Sequence, residues 1–236
     1  MKDLIHEENQ QELNRKLRRI AAFFLIVGSM VILIFRGMHG DLPAGDAHAS
    51  MLFIGEHSFY KGVHLGGVIG VVLTSIGFVA LTGTLTSRIA EMIGRLGVAV
   101  VLVGAAVHIF EHSTDGHAGQ TLADAWKAAS AADKLNIEHS ATTVFTALHG
   151  PSLFSISLLW GLAVILFARA LRLEKFPSWL FWIGSIVGAL TFIAANLQFL
   201  YPDLVPGFII FGPLVFLVQL WTLALGIVLL RSPRNN

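Results

Sequence analysis

The tripeptide Glu-His-Ser occurs three times, at Glu56-His57-Ser58, Glu111-His112-Ser113 and Glu138-His139-Ser140. Independent placement of the chain's Glu, His and Ser would give on the order of 0.02 occurrences, so the repeat needs a chemical reason. An imidazole beside a carboxylate offers one neutral and one anionic donor, a set that zinc, copper, non-haem iron or manganese accepts. The same pair can also pass a proton. A second histidine accompanies each copy: His64 after the first, His108 before the second and His149 after the third.

Helical geometry orders these pairs. At 1.5 Å rise and 3.6 residues per turn, His57 and His64 share one face about 10 Å apart along the axis, and His108 and His112 share a face about 6 Å apart. His139 and His149 fall about 80° apart on an ideal helix, and Gly150-Pro151 leaves the local rotation open. The expected arrangement has two layers. His64, His108 and His149 are the expected metal ligands of a deeper layer. His57, His112 and His139, with Glu56, Glu111 and Glu138, form a second layer that holds another metal or relays protons, with the serines as hydrogen-bond partners. His39, His48 and His117 have no assigned role. Met38-His39 and His48 with Met51 would add soft donors suited to copper, although both methionines also suit apolar packing.

His108-Ile109-Phe110-Glu111-His112 is similar to the H-x-x-E-H pattern of the inverzincin peptidases, in which the two histidines bind zinc and the glutamate acts as general base. The similarity covers those five residues and transfers no peptidase activity. Gly66, Gly67 and Gly70 near His64, and Gly104, Ala105 and Ala106 near His108, permit close approach of helices or of a flat cofactor. A b-type haem held by His64 and His108 is therefore the alternative to bare ions. Without cysteine, thiolate-ligated zinc, cysteine-ligated iron–sulfur clusters and covalent haem attachment are excluded.

The elements carrying these residues are apolar. Hydrophobic residues make up 55% of the 236 and charged residues 13%, with a mean hydropathy of +0.72. Stretches of about 20 apolar residues answer to a bilayer core roughly 30 Å thick. They predict an all-α polytopic membrane protein of six transmembrane helices in one bundle, at about 20–35, 62–83, 89–110, 144–168, 179–200 and 208–230. Residues 1–19 and 231–236 then form the cytoplasmic ends, and 36–61 and 111–143 the large outer connections. The first connection reads as loop. The second carries Leu122 and Trp126, suited to a short amphipathic helix at the interface around 119–143. Arg36 closes the first apolar run and Ala47-His48-Ala49 stands too far on for signal cleavage, which predicts a retained first helix.

Basic residues set the expected orientation. Lys2, Arg15, Lys16, Arg18, Arg19, Arg88, Arg95, Arg169, Arg172, Lys175, Arg231 and Arg234 fall on one side, against Arg36, Lys61, Lys127 and Lys134 on the other. Both termini are therefore expected to be cytoplasmic. The opposite side collects Asp41, Asp46, Glu56, Glu111, Asp115, Asp124, Asp133, Glu138 and Asp203, together with every histidine except His6. The reversed order of the histidine pair in the third helix matches that topology. With a formal charge of only +1 there is no basic surface for nucleic acid. No lysine lies inside an apolar span, which argues against a buried retinal Schiff base.

The sequence thus predicts a plasma-membrane metalloprotein with a His/Glu site at the outer ends of helices 2–4, performing redox or metal-assisted chemistry or metal handling. Its enzyme class, oxidoreductase or hydrolase, stays open. One alternative is a bis-histidine haem carrier exchanging electrons with a quinone, and another is a proton-coupled transporter or pH-responsive subunit. The expected partners are lipid, a quinone or small hydrophobic substrate, and a second copy or partner subunit.

Overall fold

Backbone amides and carbonyls have no partner in hydrocarbon, so apolar runs of this length satisfy them internally as helices. The computed structural model describes residues 2–40, 42–43, 45–202 and 207–231. Asp41, Asp203, Arg234, the rest of the tail after Arg231, and the side chains of Lys2 and His6 lie outside the described set. The described residues form α1 (Lys2–His39), α2 (Ala47–Glu56), α3 (Tyr60–Thr82), α4 (Arg88–Ala128), α5 (Ala131–Leu173), α6 (Ser178–Leu200) and α7 (Gly207–Arg231). All but α2 are long and apolar enough to cross a bilayer.

These helices are apolar inside and out. Leu65, Ile69, Val72, Ile76 and Val79 form an exposed stripe along α3, and Trp182, Ile186, Leu190, Ile193 and Leu197 another along α6. Opposite faces of the same helices supply Val71, Phe78, Leu81, Leu180 and Val187 to the main core. A helix hydrophobic all round suits contact with lipid. Close backbone approach joins α1 to α3: a Cβ added at Gly77 would stand 2.9 Å from the Leu25 amide nitrogen, and one at Gly70 would stand 3.1 Å from that of Ile32. Gly70 is thus a contact between helices.

Both large connections differ from expectation. Within 36–61, α2 forms where a loop was expected, because the Asp46 carboxylate accepts the Ala49 N–H at 2.9 Å and caps it. Within 111–143, α4 simply continues to Ala128 and α5 starts at Ala131. Gly116, Gly119, Ala123 and Trp126, at three- and four-residue spacing, carry the buried stripe of α4 onward, so no separate interfacial helix is needed. At 1.5 Å per residue, the 41 residues of α4 reach roughly 60 Å, about twice a hydrocarbon layer. Its C-terminal end packs with α2 and α5 around a second core of Met51, Ile54, Tyr60, Ala123, Trp126 and Ala141. Glu138 on α5 ties this cap together, accepting from His48 Nδ1 on α2 and Trp126 Nε1 on α4, each at 2.8 Å.

Pro151 lies inside α5, and the helix widens to π geometry over Ser157–Leu162 before resuming. Proline removes the bond to the carbonyl one turn earlier, and π segments recur where a helix must re-aim its side chains. Here the segment presents Ser157 to α6, where Asn196 Nδ2 donates to its Oγ at 2.8 Å. At the opposite end of the bundle, Glu174 caps α4 by accepting from the Thr86 and Ser87 amides at 2.9 and 2.6 Å.

Candidate metal centre

Between the bundle core and the cap, α1, α3 and α4 bring four imidazoles into series. Ring centroids lie 4.8 Å apart from His39 to His64, 5.3 Å from His64 to His112 and 3.8 Å from His112 to His108. His39 comes from the last residue of α1, which runs past Phe35, where its apolar stretch ends. His64 stands in the second turn of α3, and α4 contributes the rest. His64 and His108 are each 2% exposed.

The hydrogen bonds assign the tautomers in the first group. His64 Nδ1 lies 3.0 Å from the Tyr60 carbonyl oxygen, and His39 Nδ1 lies 2.9 Å from that of Gly40. A carbonyl only accepts, so both Nδ1 atoms carry the proton and donate it, which leaves the lone pair of each neutral ring on Nε2. Those two Nε2 atoms face each other at 3.2 Å. Asp115 Oδ2 stands 3.1 Å from the Nε2 of His64. The Tyr60 hydroxyl donates to Asp115 Oδ1 at 3.1 Å, leaving Oδ2 pointed at the imidazoles. Three electron-pair donors therefore converge with no hydrogen between them. A cation resolves this, either a metal ion or a proton taken up by one ring.

A second group adjoins it on α4. His112 Nδ1 bonds the Glu111 carboxylate, and His108 Nδ1 lies 4.0 Å from the same Oε2. The Ser155 hydroxyl of α5 is 3.4 Å from His108 Nδ1, and the Trp160 ring meets His108 edge-on at 5.3 Å. In each group, His39/His64/Asp115 and His108/Glu111/His112, one ligand atom from every residue lies within 4.8 Å of the others. Each offers two histidines and one carboxylate.

Glycines make the space. A Cβ at Gly116 would stand 2.5 Å from His64 Cβ, and one at Gly67 would stand 3.0 Å from His112 Cδ2. Thus Gly67 and Gly116 admit imidazoles, whereas Gly66 packs against Phe35.

The other expected residues lie elsewhere. His57 and His64 do not share a helix, since α2 ends at Glu56 and α3 begins at Tyr60. The exposed His57 stacks on Phe53 at 4.1 Å and bonds its carbonyl at 2.6 Å, and Glu56 is also exposed. His139 and His149 are exposed on α5, and His117 on α4. Ser155 faces His108, and six residues of helix place His149 about 120° away from it. Glu138 serves the cap, as described above. Met51 is buried in the cap core and Met38 is exposed, which separates the two thioethers proposed for copper. Asp115, Tyr60 and Ser155 were missed from sequence, and His39 was left unassigned. Asp115 had a signal: with His108, Glu111 and His112 it completes an i, i+3, i+4, i+7 stripe on one helix face.

Fold and site together define an all-helical, membrane-type bundle with buried His/carboxylate groups able to hold metal ions. Comparison of the chain with known protein families, with curated proteins and with solved structures finds no match.

Proposed function

We propose that this chain is an integral-membrane metalloprotein in which His39/His64/Asp115 and His108/Glu111/His112 hold a pair of adjoining transition-metal ions. The reading is carried by the convergence of two lone pairs and a carboxylate at His39, His64 and Asp115, with both Nδ1–H groups tied to backbone carbonyls. Metal-binding histidines are commonly oriented in that way. Two histidines and a carboxylate serve zinc hydrolases and non-haem iron oxygenases, and they leave a coordination position for water or substrate. The centre is accordingly suited to metal-assisted hydrolysis or redox chemistry. Bare ions fit this site better than haem, because the His112 ring stands between His64 and His108, 5.3 Å from one and 3.8 Å from the other.

The test is elemental analysis of full-length protein purified in mild detergent after loading with zinc, iron, copper or manganese. About two ions per chain are expected with at least one of these metals, released by chelators. Folded protein that retains none of the four would overturn the reading.

The proposed protein sits in the plasma membrane with both termini in the cytoplasm and the metal centre towards the outer face, as the basic residues favour. Because the chain lacks cysteine, single cysteines report sidedness without background. In intact cells, Ser58→Cys should react with a membrane-impermeant maleimide and Gln10→Cys should react only after lysis. The opposite pattern would invert the topology.

A further inference from the structure

The short helix α2 lies beside the His39/His64/Asp115 group and approaches it on two sides. Next to His39, the Gly40 carbonyl accepts from its Nδ1, and a Cβ added at Gly40 would stand 2.8 Å from Phe53 Cζ of α2. Next to Asp115, a Cβ added at Gly119 would stand 3.4 Å from Ile54 Cδ1 of α2, 3.2 Å from Tyr60 Cε1 and 3.5 Å from Asp115 Oδ1. Phe53 and Ile54 thus pack near two of the three donors. Those two, His39 and Asp115, are also the members that keep some exposure, whereas His64 is buried.

Little holds α2 in place. A helix of 10 residues has marginal stability alone in water, and only Ser50, Met51 and Ile54 of it are buried. Two tethers join it to the rest of the cap: His48 Nδ1 donates to the Glu138 carboxylate at 2.8 Å, and the Lys127 ammonium donates to the Gly55 carbonyl. The His48 side chain is 60% exposed, so the first tether stands open to solvent. Gly40 and Gly45, which precede α2, hold φ of 67° and 83°, and glycine moves between such values and negative φ at little steric cost. An element with few buried contacts, exposed tethers and glycines at its base opens locally at less cost than global unfolding.

We propose that α2 is a lid, latched by the His48–Glu138 pair, whose opening lets the metal ion of the His39/His64/Asp115 group enter and leave. The ion rests on the metal-centre reading; the opening of α2 does not. Closing returns Phe53 to Gly40 and Ile54 to Tyr60 and Asp115, which shields the loaded group from water.

Because the chain lacks cysteine, a thiol placed under α2 reports its opening. Ala123 of α4 and Met51 of α2 are wholly buried in the cap core, and Ala163 of α5 is wholly buried in the main core. In full-length protein in mild detergent, Ala123→Cys and Met51→Cys should react slowly with a water-soluble methanethiosulfonate, and Ala163→Cys should stay unlabelled. Adding His48→Ala should speed the first two roughly three- to tenfold, as expected for losing a part-exposed bond to a carboxylate, and leave Ala163→Cys unlabelled. His48→Gln, which can still donate to Glu138, should stay close to the original rate. Unchanged labelling in His48→Ala, or an equal rise at Ala163→Cys, would overturn the lid. In the cysteine-free chain, His48→Ala should speed zinc uptake and zinc release to a chelator by the same factor and leave affinity unchanged. Weakened affinity with unchanged uptake would make His48 a support of the site and overturn the gate. Protein that takes up no metal fails the metal-centre reading and the gate with it, while the thiol labelling still decides whether α2 opens.

Discussion

His64→Ala should empty the His39/His64/Asp115 group and leave the chain with about one tightly held ion instead of two, measured as stoichiometric metal after gel filtration. Removing a direct ligand should weaken that ion by at least the 10–100-fold typical of losing a partner that merely orients one. Asp115→Asn gives a finer version, since it keeps the shape of the side chain and its bond with Tyr60 but removes the anion. Tyr60→Phe should have a smaller effect, roughly tenfold, because the ring still packs in the cap core while Asp115 loses the donor that aims it. A graded order, with His64→Ala and Asp115→Asn well below Tyr60→Phe, separates ligation from general destabilisation. Three variants that fold and keep wild-type metal would place the ions elsewhere.

The second large effect is expected from a methyl group that touches no ligand atom directly. In Gly116→Ala the new Cβ would overlap His64 at its own Cβ, 2.5 Å away, and at Cγ, 2.8 Å away. Those atoms lie next to the backbone and cannot swing aside as a flexible tip can, so α3 and α4 must part or the imidazole must turn. Overpacking of this kind costs roughly 1–3 kcal/mol of stability, and the shifted ring should lower metal affinity roughly 10–100-fold. Gly150→Ala is the control: its methyl would meet only Phe199 at 3.5 Å, an ordinary contact. Equal metal affinity in the two variants, measured by competition with a chromophoric chelator, would show that the fit of His64 against Gly116 does not position the site.

These two experiments address the arrangement that separates this centre from a collection of histidines. The first asks whether the convergent donors hold an ion. The second asks whether helix packing, set by a residue with no side chain, holds the donors in place. Both use metal content or affinity as readout, so neither depends on knowing the substrate.

Hydrophobic run length announced six helices able to span a membrane, because a bilayer core imposes a minimum apolar length that composition alone reveals. Local spacing likewise put His108 and His112 together, since residues four apart on one helix must share a face. Asp115 shares that face, on the stripe His108, Glu111, His112 and Asp115, a signal separate from the Glu-His-Ser repeat. The repeat proved a poor guide to proximity: of its three copies, only Glu111-His112 lies in the central imidazole series, while Glu138 joins the cap and His57 ends α2.

Only the tertiary structure decided which histidines meet. His39 reaches His64 because α1 continues past its apolar stretch and packs along α3 through Gly28, Gly70 and Gly77. That depends on how two helices are set against each other, which no local periodicity encodes. His149 points outward because the turn of α5 that approaches α4 presents Ser155 and Trp160. The sequence by itself determined how apolar this protein is, the number of its long apolar helices and the donor chemistry available at one end of them. Packing determined the site, because a ligand set is a matter of a few ångströms between side chains on different helices, and those distances exist only once the helices have docked.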